Sequence, residues 1–194
     1  MQKILIATYN KGKYTEFKAF FESHGIETVA SYELNVPDVA EGDTSFADNA
    51  YLKAANGFAV TGLPCLGDDS GIELSKLNNF PGVIAARFMQ QQGSYEAAVQ
   101  ALCDRAGEDA TPARYVAELC LVIDAHTKLT SRATVEGTLT RIGKGERDFG
   151  YDKWLIPNGY TQSCAEMSLQ EKERISHRGK ALRQLMERIN KNEL

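Results

Sequence analysis

The feature that most constrains this chain lies in its first thirty residues, where apolar runs and helical spacing alternate. Lys3–Ala7 has the length and composition of a short buried strand and leads directly into the polar segment Thr8-Tyr9-Asn10-Lys11-Gly12-Lys13. Tyr14, Phe17, Phe20 and Phe21 then recur at helical spacing until Gly25, and Ile26–Ala30 reads as the next strand. Strands that alternate with helices at this spacing bury their apolar faces against one another, which places the chain in the α/β class.

The alternation continues and then changes. Ser45 begins a second helix, with Asp48 three residues on as a capping-box variant. Ala47, Ala50, Tyr51, Ala54 and Phe58 form its apolar face, and Gly62-Leu63-Pro64 stops it. Cys65–Gly67 and Ile72–Leu74 read as strands flanking an acidic turn, Asp68-Asp69-Ser70-Gly71. Ser94–Ala106 is a third amphipathic helix, using Ala97, Ala98, Ala101 and Leu102. Tyr115–Ala125 and Leu129–Glu136 form a long hairpin around Asp124–Lys128, and Leu139–Ile142 extends the sheet. A last helix starts at Ser168, with Glu171 completing a capping box, and runs through Leu182, Leu185, Met186 and Ile189. The expectation is one α/β domain over residues 1–194 with a mixed β-sheet, without repeats or low-complexity tracts.

Composition narrows the function. With 22 Lys+Arg against 26 Asp+Glu the net charge is −4, against the basic balance of a protein that binds nucleic acid through phosphates. Local convergence of a few cations still suits a small anionic ligand. The longest central apolar run, Leu119–Ile123, is far short of the ~20 residues that cross a bilayer, and Lys3–Ala7 is too short for a signal-peptide core. Cys65, Cys103, Cys120 and Cys164 are widely spaced, with no C-x-x-C pair, as expected of reduced thiols in a cytoplasmic protein.

Five segments can carry chemistry. Thr8–Lys13 joins a strand to a helix with exposed amides, a hydroxyl and two lysines, a phosphate-binding pattern that simple N-capping also explains. No G-x-x-x-x-G-K-[ST] loop occurs. Glu41, Asn49 and Lys53 are the second set; Asn49 and Lys53 share one helix face, which alone reads as a solvated edge. The third is Asp68-Asp69, adjacent carboxylates that disfavour joint ionisation without a nearby cation and suit Mg²⁺, or else an ordinary acidic turn. Phe149-Gly150-Tyr151-Asp152 and Ser176-His177-Arg178-Gly179 offer an aromatic face, a carboxylate and donors for a purine, or core packing and a solvated helix face.

Taken in order, these segments resemble the inosine triphosphate pyrophosphatase family, the RdgB-type dITP/XTP pyrophosphatases that act on noncanonical purine nucleotides. The likeness runs from T-x-N-x-x-K at Thr8–Lys13 and S-F-x-D-N-A-x-x-K-A at Ser45–Ala54 through D-D-S-G at Asp68–Gly71 and P-G-V-x-x-A-R at Pro81–Arg87. F-G-Y-D at Phe149–Asp152, A-E-M at Ala165–Met167, Lys172 and S-H-R-G at Ser176–Gly179 complete it. Tyr9, Lys153 and the charged loop 143–148 depart from the family pattern.

The resemblance implies an elongated mixed sheet with flanking helices, two lobes around a nucleotide-binding cleft, and a homodimer. It implies that Thr8, Asn10 and Lys13, with neighbouring Tyr9, Lys11 and Gly12, hold the triphosphate with help from Lys53. Glu41 and Asp69 would organise Mg²⁺, Asp69 would serve as general base, and Ser70 would touch the nucleotide. Phe149, Gly150, Tyr151, Asp152, Lys172, His177 and Arg178 would bind the base. The expected activity is hydrolysis of ITP, dITP or XTP to monophosphate and pyrophosphate. The competing expectations are a catalytically silent nucleotide sensor and a pyrophosphatase for modified pyrimidine nucleotides. Partners are limited to the nucleotide and a second copy, with no nucleic acid and no membrane.

Overall fold

The computed structural model describes residues 2–191 and is mixed α/β. In chain order its regular elements are β1 (Lys3–Ala7), α1 (Lys11–Ser23), β2 (Glu27–Ala30), α2 (Phe46–Thr61), β3 (Cys65–Leu74), β4 (Phe80–Pro81), α3 (Ala85–Gln92), α4 (Tyr95–Ala106), β5 (Ala110–Val122), β6 (Lys128–Thr140), β7 (Leu155–Pro157), α5 (Leu169–Ile175) and α6 (His177–Asn190). The strands form one sheet in the order β2-β1-β3-β5-β6-β7, with β4 paired to β3. Pairing is parallel for β1 with β2 and β3, and antiparallel for β3 with β4 and for β6 with β7. The chain divides into two compact units, residues 1–69, 117–132 and 181–194 in one and residues 70–116 and 133–180 in the other. Among the described residues no helix is long and apolar enough to cross a membrane.

In the first unit, β1 has parallel neighbours on both sides, so Ile4, Leu5 and Ile6 are all buried rather than alternating. Helix α1 turns Tyr14, Phe17, Phe20 and Phe21 inward, and its N-cap is Asn10, whose Oδ1 accepts from the Lys13 N–H at 3.0 Å. Helix α2 starts at Ser45, whose hydroxyl accepts from the Asp48 N–H, and ends at Gly62 in the left-handed conformation. Its contact with β3 is backbone to backbone: a β-carbon at Gly67 would collide with the Ala50 carbonyl oxygen. In the second unit the core gathers Ile72, Phe88, Leu102, Tyr115, Leu139 and Trp154 around α4, which Ser94 caps and Gly107 terminates.

Several sequence expectations change here. Asp68-Asp69-Ser70-Gly71 is not a turn, because β3 runs unbroken from Cys65 to Leu74 with both aspartates buried. A strand holds adjacent carboxylates when cations reach them, and lysines from α1 and α2 do so. The final helix is two helices. Ser176 between them is extended, and its Oγ accepts from the Gly179 N–H at 3.0 Å. A β-carbon at Gly179 would strike the Glu173 carbonyl, so glycine permits the close return of α6 on α5. The run expected to end at Glu136 and the one at Leu139–Ile142 merge into a single β6 ending at Thr140. α3, β4 and β7 were not evident from periodicity, being 8, 2 and 3 residues long.

Candidate functional site

In the first unit a cluster of opposite charges forms around β3. Successive residues of a strand face opposite ways, so Asp68 and Asp69 are served from different sides. Lys13, in the first turn of α1, places Nζ 2.6 Å from Asp68 Oδ2. Lys53, two turns into α2, reaches three groups: Glu41 Oε1 at 2.5 Å, Asp69 Oδ1 at 3.7 Å and the Asp68 carbonyl at 2.7 Å. Asn49, one turn before it, donates to Asp69 Oδ2 at 2.9 Å and to the Gly42 carbonyl at 3.1 Å, and accepts from the Gly42 N–H at 2.8 Å. Thus the pair that the sequence alone reads as a solvated edge faces β3, with Asn49 buried and Lys53 half-buried.

The electrostatics follow from this geometry. Burial pushes the Asp69 carboxyl up to about 6, Glu41 and Asp68 add to the rise, and Lys53 and the Asn49 amide offset part of it. Burial acts to pull the Lys53 ammonium down, but the combined attraction of Asp69, Asp68 and Glu41 holds it above its ordinary value. Three carboxylates and two ammoniums meet here, which leaves hard carboxylate oxygens that can hold an added cation.

The remaining predicted residues of this unit lie on its exposed rim. Thr8 accepts from the Asn10 N–H at 3.1 Å, Lys11 is exposed, and Gly12 is half-buried. Tyr9 donates its hydroxyl to the Val36 carbonyl at 2.5 Å, tying the Thr8–Lys13 turn to the segment that leads to Glu41. Ser70, which follows Asp69 on β3 and is the first residue of the second unit, is half-buried.

The second unit holds a different cluster. Asp152 is 2% exposed; Lys172 Nζ lies 2.6 Å from its Oδ2, and the Tyr115 hydroxyl donates to its Oδ1 at 3.2 Å. The Tyr115 ring stacks on His177 with centroids 4.6 Å apart. Lys172 Nζ and Arg178 Cζ lie 4.7 Å and 5.1 Å from the centre of the Phe149 ring, within cation–π reach. Lys172, His177 and Arg178 are all buried, so Arg178 is not a solvated helix charge. Gly150 is left-handed, with φ +59°, which turns the chain between Phe149 and Asp152. Tyr151 instead packs in the core and donates its hydroxyl to the Ala85 carbonyl at 3.2 Å. Lys153, one of the departures, pairs with Asp148 at 3.3 Å.

Sequence reasoning missed Tyr115. Burial and the Asp152 carboxylate hold its hydroxyl well above the ordinary value, so it is a fixed donor. An aromatic on a buried strand gives no signal by itself; only the hydroxyl's distant partner reveals it.

The chain is similar along almost its whole length to known proteins. The model of the Ham1 family matches residues 4–188. The dITP/XTP pyrophosphatase of an Exiguobacterium species is 40% identical over 187 residues, 94% of this chain and 94% of that protein. The dITP/XTP pyrophosphatase of Shewanella oneidensis is 35% identical over 96% of this chain and 93% of its own length. Among solved structures, a HAM1 protein from Coxiella burnetii superposes with a TM-score of 0.87 at 30% identity, covering 98% of this chain and 100% of that one.

Proposed function

The chain belongs to the Ham1 family, and from that premise we propose that it hydrolyses noncanonical purine nucleoside triphosphates such as dITP, ITP and XTP to the monophosphate and pyrophosphate. The observation that carries this reading is Asp69, a buried carboxylate pushed up to about 6 beside Lys53 and Glu41. Such a group is ionised near neutral pH yet basic enough to accept a proton from water attacking the α-phosphorus. Lys13 and Lys53 neutralise charge on the phosphate oxygens, with the Thr8 hydroxyl and the Lys11 and Gly12 amides at the start of α1 fixing the chain of phosphates.

The donor set fits Mg²⁺. Glu41 and Asp69 offer hard oxygens where carboxylates outnumber ammoniums. Among the described residues no group of three or more His, Cys, Asp or Glu is arranged around one metal position. A Mg²⁺ held by one or two carboxylates, with waters and substrate phosphates filling its shell, needs no third. When bound it supplies charge neutralisation at the phosphoryl oxygens.

In the second unit, Phe149 supplies a π-face for the base, while His177 and Arg178 supply donors for a 6-keto oxygen. A 6-amino group would set donor against donor, which disfavours adenine. Four free, buried cysteines fit a reducing compartment such as the cytoplasm. The family resemblance also supports a homodimer, which light scattering reads directly. The test of the whole reading is a panel of ITP, dITP, XTP, GTP, ATP and UTP with Mg²⁺, followed for pyrophosphate and monophosphate. Rapid pyrophosphate release from the first three and slow release from ATP and UTP is expected; no release from any would overturn it.

A further inference from the structure

Asn49 neither carries charge nor reaches a phosphate in the reading above, yet it is 2% exposed and makes three hydrogen bonds. Asparagine is a poor residue for a helix interior, because its side chain competes with the backbone for hydrogen bonds. Its presence inside α2 therefore reflects what the carboxamide does there.

One face of that carboxamide grips both backbone polar groups of Gly42: Oδ1 accepts from the Gly42 N–H and Nδ2 donates to the Gly42 carbonyl. The second hydrogen on Nδ2 goes to Asp69 Oδ2. The orientation is unambiguous, since a flipped amide would set Nδ2 against the Gly42 N–H and Oδ1 against both the Gly42 carbonyl and a carboxylate. Gly42 directly follows Glu41, so holding its peptide holds the root of Glu41. The segment before Glu41 is also tied down, by Tyr9 to the Val36 carbonyl and by Asn56 Nδ2 to the Pro37 carbonyl at 2.9 Å. Neither of those bonds touches Asp69.

We propose that Asn49 is a positioning residue that fixes Glu41 and Asp69 relative to each other, so that both carboxylates are set before the metal and triphosphate arrive. The proposal rests on the pyrophosphatase reading for its kinetic consequence, but its structural half is independent of it. Leucine at this position would keep the volume and remove all three bonds. Aspartate would place a carboxylate oxygen against Asp69 and the Gly42 carbonyl, so no acidic substitute reproduces the clamp.

The test uses the whole protein and two readouts. Without metal or nucleotide, amide exchange at Gly42 should be slow in the wild type and much faster in Asn49→Leu, with amides in the middle of α2 unchanged. With ITP and Mg²⁺, Asn49→Leu should lose about 10–100-fold in kcat with KM within about two-fold, and need several-fold more Mg²⁺ for half-maximal rate. Asn56→Ala, which frees only the Pro37 carbonyl, should keep kcat within about two-fold. If Asn49→Leu does not fold, Asn49→Ser, which cannot span Gly42 and Asp69 together, should show the same localised exchange and the same kcat loss. Unchanged Gly42 exchange overturns the clamp. Unchanged kcat, or faster exchange along all of α2 with KM rising alongside the kcat loss, overturns the positioning role. A wild type inactive on every nucleotide removes the pyrophosphatase reading, and the exchange result still decides whether the clamp exists.

Discussion

Each of the two units buries lysine beside carboxylate, but to opposite effect. Around β3, the carboxylates of Glu41, Asp68 and Asp69 gather about Lys13 and Lys53. Beside Phe149, the Asp152 carboxylate faces Lys172, with Arg178 reaching the same aromatic ring. The first arrangement attracts a cation and keeps one carboxylate basic. The second keeps donors and positive charge beside a π-face, the complement of an electron-rich keto purine. Buried ion pairs are poor sources of stability, because desolvation offsets most of the attraction. What each cluster gains from them is a sign of charge held in place.

The contrast breaks most severely at Asp69. Asp69→Asn should lower kcat with ITP by about 10³-fold or more, since it removes the proposed base and the charge proposed to hold metal, at constant volume. The same variant should be more stable than wild type at neutral pH. The folded-state carboxyl, at about 6, lies above its ordinary value of 3.8, so its contribution to stability is full below about 4 and is lost as pH rises through about 6. The difference in unfolding free energy between Asp69→Asn and wild type, measured by chemical denaturation without metal, should therefore widen from pH 4 to pH 7, reaching about 1–3 kcal/mol. A flat difference would mean that Asp69 is not held as an uncomfortable charge.

The opposite behaviour is expected in the other unit. Lys172→Met strands the Asp152 carboxylate, of which only 2% is exposed, and should cost about 3–5 kcal/mol in chemical denaturation. Replacing both, Lys172→Met with Asp152→Leu, should recover much of that loss; no recovery would show that Lys172 acts through other contacts. Next in size, Arg178→Ala should compress the ITP/ATP ratio of kcat/KM by about 10-fold, whereas Phe149→Ala should weaken both nucleotides and leave the ratio nearly unchanged. An unaltered ratio in Arg178→Ala sinks its role in base choice. The smallest effect belongs to Tyr115→Phe, which keeps the stack on His177 and deletes one hydrogen bond to Asp152. It should cost about 0.5–1.5 kcal/mol in kcat/KM for ITP, and a loss as large as that of Arg178→Ala would promote the hydroxyl to a principal determinant.

What the sequence conveys and what it hides divide along sequence separation. Caps at Asn10, Ser45, Ser94 and Ser168 and the spacing of Phe17 and Phe21 place α1, α2, α4 and the start of α5, because these signals lie within one or two turns. The acidic stretch reads as a turn because its local composition favours one, whereas Lys13, which pairs with Asp68, lies 55 residues away. Asn49 looked like a helix edge for the same reason, its carboxylate partner being 20 residues distant. The break at Ser176 hid behind an apolar period that continues through Leu182 and Leu185, since capping by Ser176 shows only in its extended backbone. Resemblance to a family supplied the candidate residues, but not that the lysines are paired with acids or that Tyr115 joins them.

Gly67 has a consequence for how this site can change over generations. Because the Ala50 carbonyl occupies the place of its missing side chain, the gap between α2 and β3 is set by main chain against main chain, and no repacking of side chains will widen it. The segment from Val36 to Gly42 is instead held by the side chains of Tyr9, Asn56 and Asn49. The cluster around β3 thus has a fixed jaw and an adjustable one. Descendants that accept a longer or bulkier ligand there would be found with substitutions at Tyr9 and Asn49, while position 67 stays glycine.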